Sequence, residues 1–332
     1  SVFNTSMVGY PESLTDPSYK NQILVLTYPC IGNYGVPPYT INDDTQLLEY
    51  FESDKIQISG LIIADYCENH SHWNSNKTLD YWLTENQIPG IYGIDTRELT
   101  KTIREFGVMK GTIIYDNSLP ILDLPYINLV EKVSRKDIIQ YNKGKRYNLL
   151  IIDCGIKNNI IRKLLNYDIT LTVVPYNYKI DIENYDGIFI SNGPGDPKEC
   201  TETITNLKNI IDSNIDIPIF GICLGNQLLG LASGADTIKL KYGNRGINQP
   251  VIDLKTKRCY ITSQNHGYAI DSNTLKSNWF PYFINANDYS NEGIIHNMLP
   301  YYGVQFHPEA CGGPDDTDFL FDMFISKIKK SN

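Results

Sequence analysis

Residues 221–225 read Gly-Ile-Cys-Leu-Gly, with glycines two positions before and two positions after Cys223. The apolar run at 217–220 reads as a short buried strand, and 224–231 reads as a helix with small and apolar residues on its inner side. A cysteine in the tight turn between such a strand and helix is the pattern of a nucleophile elbow, with a thiol in the position better known for a hydroxyl. Glycines flank it because the neighbouring backbone must approach closely. The turn also sets the sulfur at a helix N-terminus, where unpaired N–H groups favour an anion. A buried structural cysteine at the end of a core strand would share the pattern, so other residues have to decide.

They stand near the C-terminus. Residues 301–306 read as another core strand, and His307-Pro308-Glu309 follows it. In an extended segment, residues two apart project to one side, so His307 and Glu309 can face one site. The histidine would act as base and the carboxylate would fix its tautomer and orientation, which with Cys223 completes a thiol-nucleophile arrangement. Two further stretches, SNGPGDP at 191–197 and Asn265-His266-Gly267, would each read as a turn if they stood alone. Cys67, His70 and His72 suggest a metal site, but no second cluster completes four ligands, and no metal is expected. His266 and His296 read as structural, in a turn and at a strand end.

The elements that must hold these residues divide near residue 145. The stretch 141–147 is polar and basic with a glycine, and reads as a linker between domains 1–143 and 147–332. Beyond it, strands at 147–153, 169–175 and 187–191 alternate with helices at 158–165 and 203–212, which argues for a parallel sheet covered on both faces. Ligands in such folds sit at the carboxyl ends of strands, where Cys223, the 191–197 loop and His307 can converge. Short strands at 249–254, 259–263 and 293–296 look antiparallel. The N-terminal half is less regular, with strands at 22–28 and 60–64 and helices at 78–86 and 95–106. The second helix opens on an Asp95/Glu98 capping box and stops at Gly107.

Composition sets the class. A chain of 332 residues, 42% hydrophobic and 20% charged, is an ordinary globular protein with room for two cores. No apolar run approaches a membrane span, and the first residues show no basic region followed by an apolar stretch. A net charge of −9 argues against nucleic acid or an anionic membrane as main partner. Seven dispersed cysteines suggest reduced thiols and a cytoplasmic enzyme.

The motifs taken together resemble a known family. GICLGNQLLG followed by VQFHPEA is similar to the class I (triad) glutamine amidotransferases. SNGPGDP, SQNHGYAID at 263–271, GYPESLTDPSY at 9–19, the 231–251 segment and GIDTRELTKTIREFG at 93–107 resemble the glutaminase component of carbamoyl phosphate synthetase over nearly the whole chain. The resemblance implies an α/β fold: a C-terminal amidotransferase domain with a central, mostly parallel sheet flanked by helices, and a smaller N-terminal α/β domain. It implies that the chain begins after the start of that N-terminal domain, which leaves its sheet pairing open.

The resemblance also implies chemistry. Cys223, His307 and Glu309 would hydrolyse L-glutamine through a thioester, and the ammonia would pass to a synthetase large subunit or fused synthetase domains making carbamoyl phosphate for pyrimidine or arginine biosynthesis. No cofactor is expected on the glutaminase, whereas ATP, Mg and bicarbonate would belong to the synthetase partner. Glutamine would be held by Ser18, Gly193, Gly195, Leu224, Gln227, Asn265, Gly267 and Tyr268. Leu224 and the 191–197 loop would supply backbone donors to the oxyanion. Asn226, where the family usually has histidine, Ile247, also in place of histidine, and Tyr268, in place of phenylalanine, are departures. A degenerate glutaminase kept as a structural or regulatory module is the alternative, and loss of the nucleophile would be its mark.

Overall fold

A computed structural model describes residues 1–114 and 127–331. The chain divides into two compact units, Ser1–Leu129 and Val130–Asn332.

In the first unit, strands β1 (Val2–Asn4), β2 (Ile23–Leu26), β4 (Gly60–Ile62) and β6 (Gly90–Ile91) form a parallel sheet in that order. A small parallel pair, β3 (Cys30–Ile31) with β5 (Asp65–Tyr66), stands apart from it. Helices α1 (Tyr10–Thr15), α2 (Leu79–Glu85) and α3 (Thr96–Phe106) belong to the same unit. Its core gathers Leu14, Leu24, Phe51, Leu61 and Trp82. The cap of α3 is one-sided. Asp95 accepts from the Glu98 N–H at 2.9 Å, but the Glu98 carboxylate pairs with Lys101 at 3.0 Å instead of reaching back.

The short helix α4 (Leu129–Val133) starts at the division, and in the second unit strand β7 (Ile139–Tyr141) pairs antiparallel with β9 (Ile169–Pro175). The stretch at 141–147 that reads as a linker therefore lies inside this unit, and the division falls at residue 129. Between those strands come β8 (Tyr147–Asp153) and helix α5 (Asn158–Leu164). Then follow β10 (Gly187–Ile190), α6 (Thr201–Asp212), β11 (Ile219–Ile222) and α7 (Leu224–Ala232). The chain continues through β12 (Thr237–Asp253), β13 (Cys259–Ile270), β14 (Trp279–Asn285), β15 (Asn291–His296), β16 (Tyr301–Val304) and α8 (Phe319–Ser331). The strands make one ten-stranded sheet in the order β13-β12-β14-β15-β16-β11-β10-β8-β9-β7. Strands β16, β11, β10, β8 and β9 are mutually parallel, and the β12–β15 side is antiparallel.

The central strands are apolar on both faces because both are covered. Ile188 and Ile190 of β10 join Leu224, Leu228 and Leu229 of α7 in one core. Phe189, between them, points the other way and meets Phe220 edge-on at 5.4 Å and Phe324 of α8 at 6.1 Å. The antiparallel side departs from expectation. The short strands expected at 249–254 and 259–263 are parts of the long β12–β13 ribbon, and Asn265-His266-Gly267, expected as a turn, lies inside β13. Register shifts between Lys239 and Asn244 and between Gly246 and Gln249 break the side-chain alternation that would have marked a strand.

Candidate active site

Four neighbouring parallel strands each end in one part of the site. Cys223 follows β11, the 191–197 loop follows β10, His307 lies just past β16, and Lys157 stands beyond β8. This is the edge where a parallel sheet presents its loops.

The elbow is built by close approach. A Cβ on Gly221 would lie 2.5 Å from Gly225 backbone, and one on Gly225 would lie 2.1 Å from the Ile190 carbonyl, so both positions exclude side chains. Cys223 itself sits at φ 54 and ψ −104, a conformation that favours glycine. Its N–H donates to the Val304 carbonyl at 2.8 Å, which ties the elbow to β16. The side chain is buried, 3.7 Å from the Asn265 carbonyl and 3.6 Å from Gln305 Nε2.

His307 Nδ1 is 2.6 Å from Glu309 Oε1, and its backbone N–H donates to Ser263 of β13 at 2.9 Å. On its other side the ring interacts with Cys223. Burial alone would weaken the ring's hold on a proton, but Glu309 and then Cys223 outweigh it and push the imidazole up to about 10. Burial would likewise raise Glu309, yet Lys157 and His307 bring it down to about 2. Lys157 Nζ donates to the same Oε1 at 2.9 Å and to the Ala310 carbonyl at 3.1 Å. Asn159 Nδ2 holds the Glu309 carbonyl at 2.5 Å.

Lys157 is delivered by a loop wound around Asp153, which accepts from the N–H groups of Gly155 and Ile156 and from the Arg135 guanidinium, all at 2.8 Å. The same loop holds the 191–197 segment: Cys154 N–H donates to Ser191 Oγ at 2.9 Å and Lys157 N–H to Asn192 Oδ1 at 3.1 Å. Gly193 leaves no room for a side chain, since its Cβ would meet the Cys154 carbonyl at 2.1 Å and Leu224 Cδ2 at 2.8 Å. Its backbone therefore abuts the first residue of α7. Gly195 sits at φ 92.

Gln227, one turn into α7, donates from Nε2 to the Tyr268 carbonyl at 2.8 Å and to Gln305 Oε1 at 2.9 Å. Strand β13 thus lends three carbonyls, those of Ser263, Asn265 and Tyr268, to His307, Cys223 and Gln227. Gly267 lies between the last two. The Tyr268 phenol is pushed up to about 12 by burial and by Asp196 of the neighbouring loop. His266 is buried with Nε2 3.5 Å from Glu292.

Of the residues singled out from sequence, Cys223, His307, Glu309, Gly193, Leu224, Gln227, Asn265 and Tyr268 are linked by these contacts, and Gly195 and Gly267 lie in the same loop and strand. Ser18 belongs to the first unit, in a short 3-10 turn where its N–H donates to Asp16. Asn226 is fully buried with neither carboxamide atom hydrogen-bonded among the described residues, and it packs against Gly303. Ile247 packs beside Gly313. His70, beside Cys67, bonds Ser75 at 2.6 Å and His72 accepts from the Asn74 N–H at 3.2 Å. Sequence reasoning missed Lys157 and Gln305. A lysine just beyond a strand's carboxyl end and a glutamine within an apolar strand run were the available signals.

Two family descriptions match the chain: Glutamine amidotransferase class-I over residues 150–327, and Carbamoyl-phosphate synthase small chain, CPSase domain, over residues 1–113. The chain is 53% identical to the carbamoyl phosphate synthase arginine-specific small chain of Candida albicans, over 100% of its own length and 81% of that protein. It is 49% identical to the protein of the same name from Debaryomyces hansenii, covering 99% of this chain and 80% of that one. It is also 50% identical to the multifunctional protein pyr1-3 of Dictyostelium discoideum, over 98% of this chain but only 16% of that much longer polypeptide.

Proposed function

Because this chain belongs to the carbamoyl-phosphate synthase small-chain family and carries a class I glutamine amidotransferase domain, we propose that Cys223, His307 and Glu309 hydrolyse L-glutamine to glutamate and ammonia. The observation that carries this reading is the convergence of a strained, buried cysteine with an imidazole whose far nitrogen is clamped by a carboxylate.

The Cys223 sulfur gives its proton to His307 Nε2 and attacks the carboxamide carbon of glutamine. The oxyanion is met by backbone N–H groups at Leu224 and in the Gly193 loop, which are fixed before the reaction begins. Loss of one such donor costs about 3 kcal/mol of transition-state stabilisation. The imidazolium returns the proton to the departing nitrogen, ammonia leaves, and a γ-glutamyl thioester remains on Cys223. His307 then takes a proton from water, which attacks the thioester and releases glutamate. Glu309 keeps Nδ1 protonated throughout, so Nε2 is the nitrogen that cycles.

The α-amino acid head of glutamine is held by Gln227, the β13 segment at Asn265, Gly267 and Tyr268, and the Gly193–Gly195 loop. Ammonia passes to a carbamoyl phosphate synthetase large subunit, or to fused synthetase domains, which carry the ATP, Mg and bicarbonate and feed arginine or pyrimidine biosynthesis. The reading of the chain as a degenerate module is disfavoured because Cys223, His307 and Glu309 are all present and His307 pairs with Glu309 at 2.6 Å.

Cys223→Ser is expected to abolish glutamine-dependent ammonia release while leaving the circular dichroism spectrum and melting temperature close to the parent's. Unchanged glutamine turnover in that variant would refute the assignment.

A further inference from the structure

Gln305 has no part in the scheme above, yet it touches the nucleophile. It lies immediately after β16, two positions before His307, and is fully buried. Its backbone N–H donates to the Glu292 carbonyl at 2.9 Å, which continues the pairing of this segment beside β15. Burying a carboxamide there is costly unless its polar atoms are hydrogen-bonded. Both are: Oε1 accepts from Gln227 at 2.9 Å and Nε2 faces Cys223 Sγ at 3.6 Å.

The direction of the contact with sulfur is fixed from outside the pair. The Tyr268 carbonyl can only accept, so the end of the Gln227 carboxamide 2.8 Å away must be its NH2. That same nitrogen is 2.9 Å from Gln305, so the Gln305 atom it meets must be the oxygen. Gln305 is left with its N–H groups turned to Sγ.

We propose that Gln305 is a positioning residue for the nucleophile, its carboxamide aimed by Gln227 so that it donates to the sulfur and favours the thiolate. The inference rests on Cys223 being that nucleophile. In the thiol form the S–H points to the Asn265 carbonyl, 3.7 Å away. When the proton moves to His307 Nε2, that carbonyl becomes an unfavourable neighbour and the Gln305 N–H the compensating one. No electrons change hands, and the only bond broken is S–H. Gln227 is also assigned to the substrate, so one carboxamide sets both the pocket and the aim of Gln305.

Gln305→Met keeps the volume and removes both polar atoms, whereas Gln305→Glu keeps the shape and replaces the donor with oxygen. The rate at which iodoacetamide alkylates Cys223 is measured against pH on the full chain, with the Cys223 peptide quantified by mass spectrometry to separate it from other cysteines. Both variants should shift the alkylation midpoint to higher pH, the glutamate further. Glutamine kcat at neutral pH should fall about tenfold with KM changed less, the scale of a hydrogen bond to a charged group. An unmoved midpoint in a folded variant overturns the proposal, whatever happens to turnover. If the methionine variant does not fold, the glutamate variant decides alone. Alkylation needs no glutamine, so the profile remains decisive if the parent releases no ammonia; that result would count against the proposed function instead.

Discussion

At Oε1 of Glu309 two cationic side chains meet, His307 at 2.6 Å and Lys157 at 2.9 Å. The arrangement has a consequence for stability against pH. Glu309 is brought from 4.5 down to about 2, so its contribution is full above 4.5 and lost as pH falls towards 2. His307 is raised from 6.5 to about 10, so its contribution is full below 6.5 and lost as pH rises towards 10. Lys157→Met should cost about 3 kcal/mol, the scale for breaking a buried pair by removing one partner. It should also move the acid loss to higher pH, because Lys157 is a main cause of the lowered carboxyl. Urea midpoints collected from pH 3 to 8 would check both, and an unchanged acid limb would contradict the pairing. Cys223, His307 and Glu309 were legible in the sequence because each lies in a glycine- or proline-marked turn after an apolar strand. Lys157 and Gln305 were not, because their meaning comes from partners 152 and 82 residues away.

Among the elements, helix α7 offers a direct comparison. Gly225 and Gly230 both lie in it, but a Cβ at Gly225 would strike the Ile190 carbonyl at 2.1 Å, whereas one at Gly230 would meet the end of the Ile270 side chain at 2.6 Å. A backbone carbonyl in a central strand cannot step aside; a terminal methyl can rotate. Gly225→Ala should therefore lose about 2 kcal/mol or more through overpacking. Gly230→Ala should come out near neutral, since replacing helical glycine by alanine returns up to about 1 kcal/mol. Thermal melts of the two variants would separate them, and equal losses would count against the contact. The parallel strands were readable because burial on both faces leaves unbroken apolar runs such as 149–152. The β12–β13 ribbon was not, because its bulges interrupt the period of two and its glycines mimic turns. The segment that lends three carbonyls to the site was thus the element least visible beforehand.

For the whole molecule, the α/β class and the presence of two units follow from patterning and length, whereas the boundary does not. The polar stretch at 141–147 has the composition of a linker, but β7 just before it is tied into the large sheet by its pairing with β9. Chain stability also bears on chemistry through one residue. Cys223 occupies φ 54 and ψ −104, a conformation worth about 1–3 kcal/mol of strain in a side-chain-bearing residue. Only glycine rests there at ease. Cys223→Gly should raise the melting temperature of the full chain as scanning calorimetry measures it, while releasing no ammonia, and a lower melting temperature would argue against stored strain. Selection for endurance alone would erase the sulfur; a cysteine in this conformation surrenders durability to reactivity.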